Sequence, residues 1–176
     1  MDFFEAVKAR YTHKETFLGT PVPREHLEKI ARAGLAAPSG DNAQSVSLII
    51  IDDSGVLSRL RAIAASDGLR TAPAAIAILS DPSTQKKDTN FLKEDYSAAA
   101  ENMLLAAAAL GYASVWLDYI LMDRQVQLAY LRELGAPESY LLPIILPIGK
   151  PDGEGSRRVK KPFDERMSYN GFGCKK

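Results

Sequence analysis

The chain has 176 residues, with 22 Lys plus Arg, 22 Asp plus Glu and one cysteine, Cys174. Zero net charge argues against the basic footprint of a dedicated nucleic-acid binder and against an acidic solvating tail, and a single cysteine excludes a disulfide framework or a Cys-rich zinc site. At 46% hydrophobic and 25% charged residues, the composition is that of one ordinary domain over residues 1–176, large enough to bury a core without covalent or metal staples.

The start of the chain, Met1-Asp2-Phe3-Phe4-Glu5, carries acids where a secretion signal needs a basic stretch. The most apolar run, residues 103–117, is interrupted by Gly111 and Ser114 and is shorter than a bilayer span. These features lead to the expectation of a soluble, cytoplasmic protein without membrane partners.

Asp2 followed by Glu5 forms a capping box, and Phe3, Phe4 and Val7 give the first helix an apolar side up to about Arg10. Residues 11–22 read as loop. A second helix opens at Pro23, with Leu27, Ile30, Ala31, Gly34 and Leu35 at helical spacing, and Pro38 stops it. The polar loop of residues 37–44 leads into residues 47–51, a continuous apolar run expected to be a strand buried on both faces. Ser54 is the expected cap of a helix carrying Leu57, Leu60 and Ile63. Residues 74–79 read as a second buried strand and residues 81–89 as a polar loop.

A long helix is expected over about residues 90–110. Its Ala-rich second half is apolar nearly all round, which marks a central element covered on several sides, in part by a partner subunit. Gly111 ends it. A third strand is expected over residues 113–117, then a helix capped by Asp123 and closed by Gly135. Residues 140–148 read as a fourth strand, irregular or at an edge because it contains Pro143 and Pro147. Residues 150–176 have little periodicity and read as an arm.

Several motifs of catalysis and binding are missing. No dinucleotide or P-loop glycine pattern and no zinc-protease motif occurs, and the two histidines, His13 and His26, are too few for a His-based site. His26 reads as a surface residue, and Cys174 lies in a Gly-flanked tail unsuited to a fixed thiolate. With no evident nucleophile, an enzyme of this sequence would leave the chemistry to a cofactor.

Three features remain. Arg10, Thr12 and Lys14 form one basic cluster, and residues 157–161 form another with four cations in five positions. Each reads either as solvated surface or as part of a phosphate site built from both chain ends, because guanidinium groups bind phosphate bidentately. Residues 33–149 carry thirteen acids against eight bases, so the cations available for an anion lie at the ends. The loop Pro38-Ser39-Gly40-Asp41-Asn42-Ala43-Gln44 reads either as a helix stop or as a hydrogen-bonding edge for a flat polar heterocycle.

Taken together, these segments resemble the nitroreductase family of FMN-dependent oxidoreductases in its short form. Arg10, Tyr11, Thr12, His13 and Lys14 stand where the family has Arg-Arg-Ser-x-Arg, and Pro21-Val22-Pro23 opens the next helix as it does there. The loop from Ala37 to Gln44 is similar to the family's A-P-S-G-x-N-x-Q. Residues 98–116 resemble the central helix and the strand after it, Ile148-Gly149-Lys150-Pro151 the late strand end, and the basic run before Pro162-Phe163-Asp164-Glu165 the final phosphate-binding segment. Tyr11 and Lys14 depart from the usual arginines, Ser45-Val46 stand where Pro-Trp is usual, and the tail lacks the usual acidic-aromatic end.

The resemblance implies an α+β fold, an α/β sandwich with a mixed, mostly antiparallel sheet flanked by helices, in an interlocked homodimer with FMN at the interface. It implies that Arg10, Tyr11, Thr12 and Lys14 meet FMN, with Arg158 and Lys160 completing the phosphate site. Pro38, Ser39, Gly40, Asn42 and Gln44 would reach it from the partner chain. Ser114, Val115 and Trp116 would wall the ring, although Trp116 reads equally as core. It also implies NADH or NADPH as co-substrate and a small acceptor such as a nitroaromatic or quinone. Reductive dehalogenation, flavin-ring breakdown and flavin binding without turnover are the alternatives.

Overall fold

The computed structural model describes residues 1–174; the last two residues of the expected arm, Lys175 and Lys176, lie outside the described residues. Helix α1 (Phe3–Ala9) opens with the expected capping box: the Glu5 N–H donates to Asp2 and the Asp2 N–H to Glu5, each at 2.8 Å. Helices α2 (Arg24–Leu35), α5 (Leu92–Ala109) and α6 (Arg124–Glu133) fall where the periodicity puts them. The cap of α3 (Ser54–Ile63) is Asp53, whose carboxylate accepts the Val56 N–H at 2.8 Å. Ser54, the expected cap, is already the first helical residue. Two short helices, α4 (Asp67–Arg70) and α7 (Phe163–Arg166), were too brief to show a period.

Four strands form one sheet in the order β1 (Val46–Ile51), β2 (Ala74–Ser80), β4 (Leu141–Gly149), β3 (Ala113–Ser114). Among the described residues the strands pair antiparallel throughout, and an isolated parallel bridge outside the strands joins Thr12 to Ser114. Alternation along β2 builds two cores. Ala74, Ile76 and Ile78 face α2 and α5, whereas Ala75, Ala77 and Leu79 join a cluster with Leu57, Leu60, Tyr130 and Leu131 of α3 and α6. The result is an α+β sandwich with helices on both faces.

Strands β1 and β3 differ from expectation. β1 touches both cores, but only Ile51 is buried in it, because β1 is an edge strand paired on one side alone. β4 is interior, and of the two readings its prolines allowed it takes the irregular one. Its prolines fit because Ile145 exchanges both backbone hydrogen bonds with Leu117, and Pro143 and Pro147 share that parity. Their missing N–H groups therefore face the short β3 side, where the ladder is already sparse, while a register shift opposite Ile78 and Ser80 absorbs the rest. The third strand is shorter than expected for the same reason: after Ser114 only the isolated Leu117–Ile145 bridge continues it.

Gly34 lets α2 and α5 approach closely, since a Cβ there would stand 2.6 Å from the Met103 side chain. Tyr130 is fully buried and its hydroxyl has no hydrogen-bond partner among the described residues. Burial pushes its phenol up to about 12 from an ordinary value of 10.0. The folded state thus keeps the neutral phenol at pH values where the unfolded chain ionises. This contribution to stability is complete below about pH 10 and is lost as pH rises towards 12. Tyr130→Phe should remove that alkaline loss and, by deleting an unpaired buried hydroxyl, raise stability at neutral pH by about 1 kcal/mol, readable by calorimetry across pH 7 to 12.

Candidate functional site

The segment after α1 is laid along the sheet rather than left as a free loop. The His13 N–H donates to the Ser114 carbonyl at 3.0 Å, the Phe17 N–H to the Thr71 hydroxyl at 2.8 Å, and the Leu18 N–H to the Lys150 carbonyl at 2.9 Å. His13 is fully buried against Phe17. Its Nε2 lies 2.9 Å from the Thr16 carbonyl, which can only accept, so Nε2 carries a proton; Nδ1 lies 3.3 Å from the Tyr11 hydroxyl and 3.6 Å from the Glu15 carboxylate. Burial, followed by the nearby Glu15, holds the Tyr11 phenol above its ordinary value, against a smaller opposing effect of Arg157.

Tyr11 is also where the C-terminal arm docks. The Arg157 guanidinium lies 5.3 Å over the Tyr11 ring and donates to the Ala9 carbonyl at 3.0 Å and to the Lys8 carbonyl, satisfying the open end of α1. Gly155 rests on the same ring, with no room for a Cβ. This clasp brings Arg158 and Lys160 to Arg10, Tyr11, Thr12 and Lys14 around one cavity of about 560 Å³. Arg158 and Lys160 are exposed and have no ion-pair partner among the described residues, whereas Arg10 lies 3.7 Å from Glu101. Gly155→Val should lift the arm off Tyr11. The expected result is faster proteolysis within residues 155–166 and an unchanged melting temperature for the rest of the domain, measured by limited proteolysis and calorimetry.

Pro38, Ser39, Asn42 and Gln44 lie elsewhere, on a second cavity of about 320 Å³ that also reaches Ser45, Asp95 and Ala99. The loop is strained. Asp41, Asn42 and Gln44 have φ of 54°, 54° and 50°, a region that costs a non-glycine residue on the order of 1 kcal/mol or more. The Gln44 N–H donates to the Ser39 hydroxyl at 3.0 Å. Gly40 turns away from this cavity: it packs on the Phe91 ring and donates its N–H to Asp95 at 2.7 Å.

Ser114 is buried beneath Thr12, and its hydroxyl has no partner among the described residues. It borders a narrow recess shared with Arg10 and Tyr11. Val115 packs against Gly68, and Trp116 is half-buried with its indole N–H donating to Asp118 at 3.0 Å; neither lines either of the two cavities described above. Helix α5 separates those cavities. Ala99 borders the second, whereas Glu101 reaches Arg10 of the first, and residues two apart on a helix point about 200° from one another. One chain therefore presents the two cavities on different faces of α5.

The model of the nitroreductase family matches residues 7–67 and 61–150, which include the segment after α1, the strained loop and all of α5. The chain belongs to the nitroreductase family. A relative from Archaeoglobus fulgidus, named "Putative NADH dehydrogenase/NAD(P)H nitroreductase", is 34% identical over 85% of this chain and 87% of its own. Among solved structures, an FMN-dependent nitroreductase from Clostridium difficile R20291 is 27% identical with a TM-score of 0.79, covering 96% of this chain and 99% of that one. A nitroreductase with bound FMN from Bacteroides fragilis is 25% identical with a TM-score of 0.77, over 96% and 98% of the two chains. The nitroreductase fold expected from the motifs is thus present.

Sequence reasoning missed Asp95 and Ser45. Both are buried, 2% and 1% exposed, and the Ser45 hydroxyl donates to the Asp95 carboxylate at 2.6 Å. An aspartate among helix-forming residues reads as surface, and only the fold reveals it under the loop. Within the basic run, residue types by themselves did not separate Arg157 from Arg158 and Lys160, which the family resemblance alone singled out; the structure commits Arg157 to backbone carbonyls.

Proposed function

We propose that this nitroreductase-family chain is an NAD(P)H-dependent FMN oxidoreductase that reduces a small electron-poor acceptor, a nitroaromatic or a quinone. We propose further that it works as a homodimer whose FMN sites each combine the basic cavity of one subunit with the strained loop of the other. The observation that carries the reading is the convergence of Lys14, Arg158 and Lys160 with the Thr12 hydroxyl on one cavity, drawn from both ends of the chain.

The donor set fits a phosphate-bearing cofactor. Arg158 and Lys160 would hold the phosphate through charge-assisted bonds, and Arg10 and Thr12 would add donors beside them. Tyr11 would shape the cavity wall and keep the arm in place. Lys14 adds a cation that favours negative charge accumulating on the bound group. Ser39, Asn42 and Gln44 of the partner's loop would supply hydrogen bonds to the heterocycle, behind Pro38 and the Gly40 turn. Ser114 would lie behind the wall of the cavity, its buried hydroxyl bordering the recess by Tyr11. Bound FMN supplies hydride acceptance and donation, so the chain needs to bind and orient rather than provide a nucleophile.

The homodimer reading is supported by apolar surface that one chain leaves open. Helix α1 buries only Ala6, while Phe3 and Phe4 are 63% and 72% exposed. Leu35 beside the loop and Met122 are also exposed. Patches of this kind mark interaction surfaces. No helix among the described residues is long and apolar enough to cross a membrane.

The test is an absorbance spectrum of the purified protein with added FMN, followed by anaerobic NADH and NADPH addition. Flavin uptake with bleaching by either nucleotide is expected. A protein that takes up no FMN ends the cofactor reading, uptake without bleaching ends the oxidoreductase reading, and a monomer in sedimentation with FMN bound ends the shared site.

A further inference from the structure

We infer that Asp95, on α5, is a positioning residue that holds the strained loop in the shape that binds the cofactor. The inference rests on the FMN reading above. Asp95 is 2% exposed, yet no lysine or arginine lies against its carboxylate among the described residues. Its two oxygens instead grip two points of one short segment. Oδ1 accepts the Gly40 N–H at 2.7 Å and Oδ2 accepts the Ser45 hydroxyl at 2.6 Å. Between those points lie the three left-handed residues, Asp41, Asn42 and Gln44.

A strained turn persists only when its surroundings over-determine it. Here the two ends are fixed by one rigid carboxylate, and that carboxylate is carried by an 18-residue helix packed into the core. The position in the early turns of α5 favours a negative group through the helix field. The loop's Ser39, Asn42 and Gln44 side chains are thereby offered to the cavity already ordered, so binding need not order them. Asp95 also borders that cavity. Its part is to aim the loop, and the loop makes the contacts.

The structure distinguishes three substitutions. Asp95→Ala removes both bonds. Ser45→Ala removes one and leaves the Gly40 bond in place. Asp95→Asn can keep both, since its amide oxygen can accept the Gly40 N–H while its NH₂ donates to the rotatable Ser45 hydroxyl.

The experiment measures FMN dissociation constants by flavin fluorescence for the full-length wild type and the three variants. Amide hydrogen exchange of residues 39–45 is followed in each apoprotein. Asp95→Ala is expected to weaken FMN at least tenfold with faster loop exchange and unchanged sedimentation. Ser45→Ala is expected to weaken it about threefold, and Asp95→Asn to remain within threefold of wild type. A folded Asp95→Ala protein that binds FMN as the wild type does overturns the inference and leaves the FMN reading standing. If Asp95→Ala does not fold, Ser45→Ala decides: wild-type affinity and loop exchange overturn the inference, and the graded loss supports it. A wild type that binds no FMN overturns the cofactor reading, and the inference with it.

Discussion

Replacing Arg158 and Lys160 together by alanine should weaken FMN binding about 100-fold or more while the melting temperature of the apoprotein stays where it was. Both side chains are exposed and neither has an ion-pair partner among the described residues, so their removal costs the fold little. In the proposed complex each makes a charge-assisted bond to phosphate, worth about 1.5–3 kcal/mol, and two such bonds amount to two or more powers of ten in affinity. The loss should shrink as salt rises, because exposed charges are screened beyond a Debye length of about 8–10 Å. Fluorescence titration at low and moderate salt, with calorimetry of the apoprotein, reads both parts. An affinity within threefold of wild type would remove the C-terminal arm from the phosphate site. Arg157→Ala should behave differently, since Arg157 closes the end of α1 and lies over Tyr11; its loss should expose the arm to protease as well as weaken binding.

Ile76→Ala should lower stability by about 2–5 kcal/mol and the melting temperature by about 10 °C. Ile76 is fully buried in β2, paired to Ile50 on one side and Leu146 on the other, and it faces the core beneath α2 and α5. Strands on both sides keep the backbone from collapsing into the space left, so most of the cavity would remain. Ile49→Ala on the edge strand β1 should cost less than half as much, since that side chain is already partly exposed. Both are measured on apoprotein at one fixed concentration, because cofactor and dimerisation shift the apparent stability. Equal losses at the two positions would contradict the one-sided exposure of β1.

Much of the fold was legible because local patterns report burial directly. The Asp2–Glu5 box, the β2 run from Ala74 and the Ala-rich α5 each carry their evidence within one element. The gaps share a cause. The apolar run of β1 matched a doubly buried strand, yet it lies at a sheet edge, and Pro143 and Pro147 left open whether β4 is irregular or at an edge, where the fold makes it irregular and interior. Hydropathy records that a residue is apolar, whereas which strand lies beside it depends on long-range order. Pro143 and Pro147 are accommodated by the parity of the Ile145–Leu117 pair, a fact about two segments far apart in sequence.

The site divides in the same way. Residue types alone narrowed the chemistry: cations at both chain ends, a Ser, Asn and Gln loop before a strand, and no evident nucleophile would leave the reaction of an enzyme to a bound cofactor. The order of those motifs also determined the family. Only the tertiary structure decided which cations are available, because Arg157 and Arg158 are neighbours in sequence but only Arg157 finds backbone carbonyls to bind. It alone placed Asp95 beneath the strained loop and set the two cavities on different faces of α5. A side chain's type states what it can bond, but its role depends on which partners the folded chain brings within about 3 Å, the reach of a hydrogen bond.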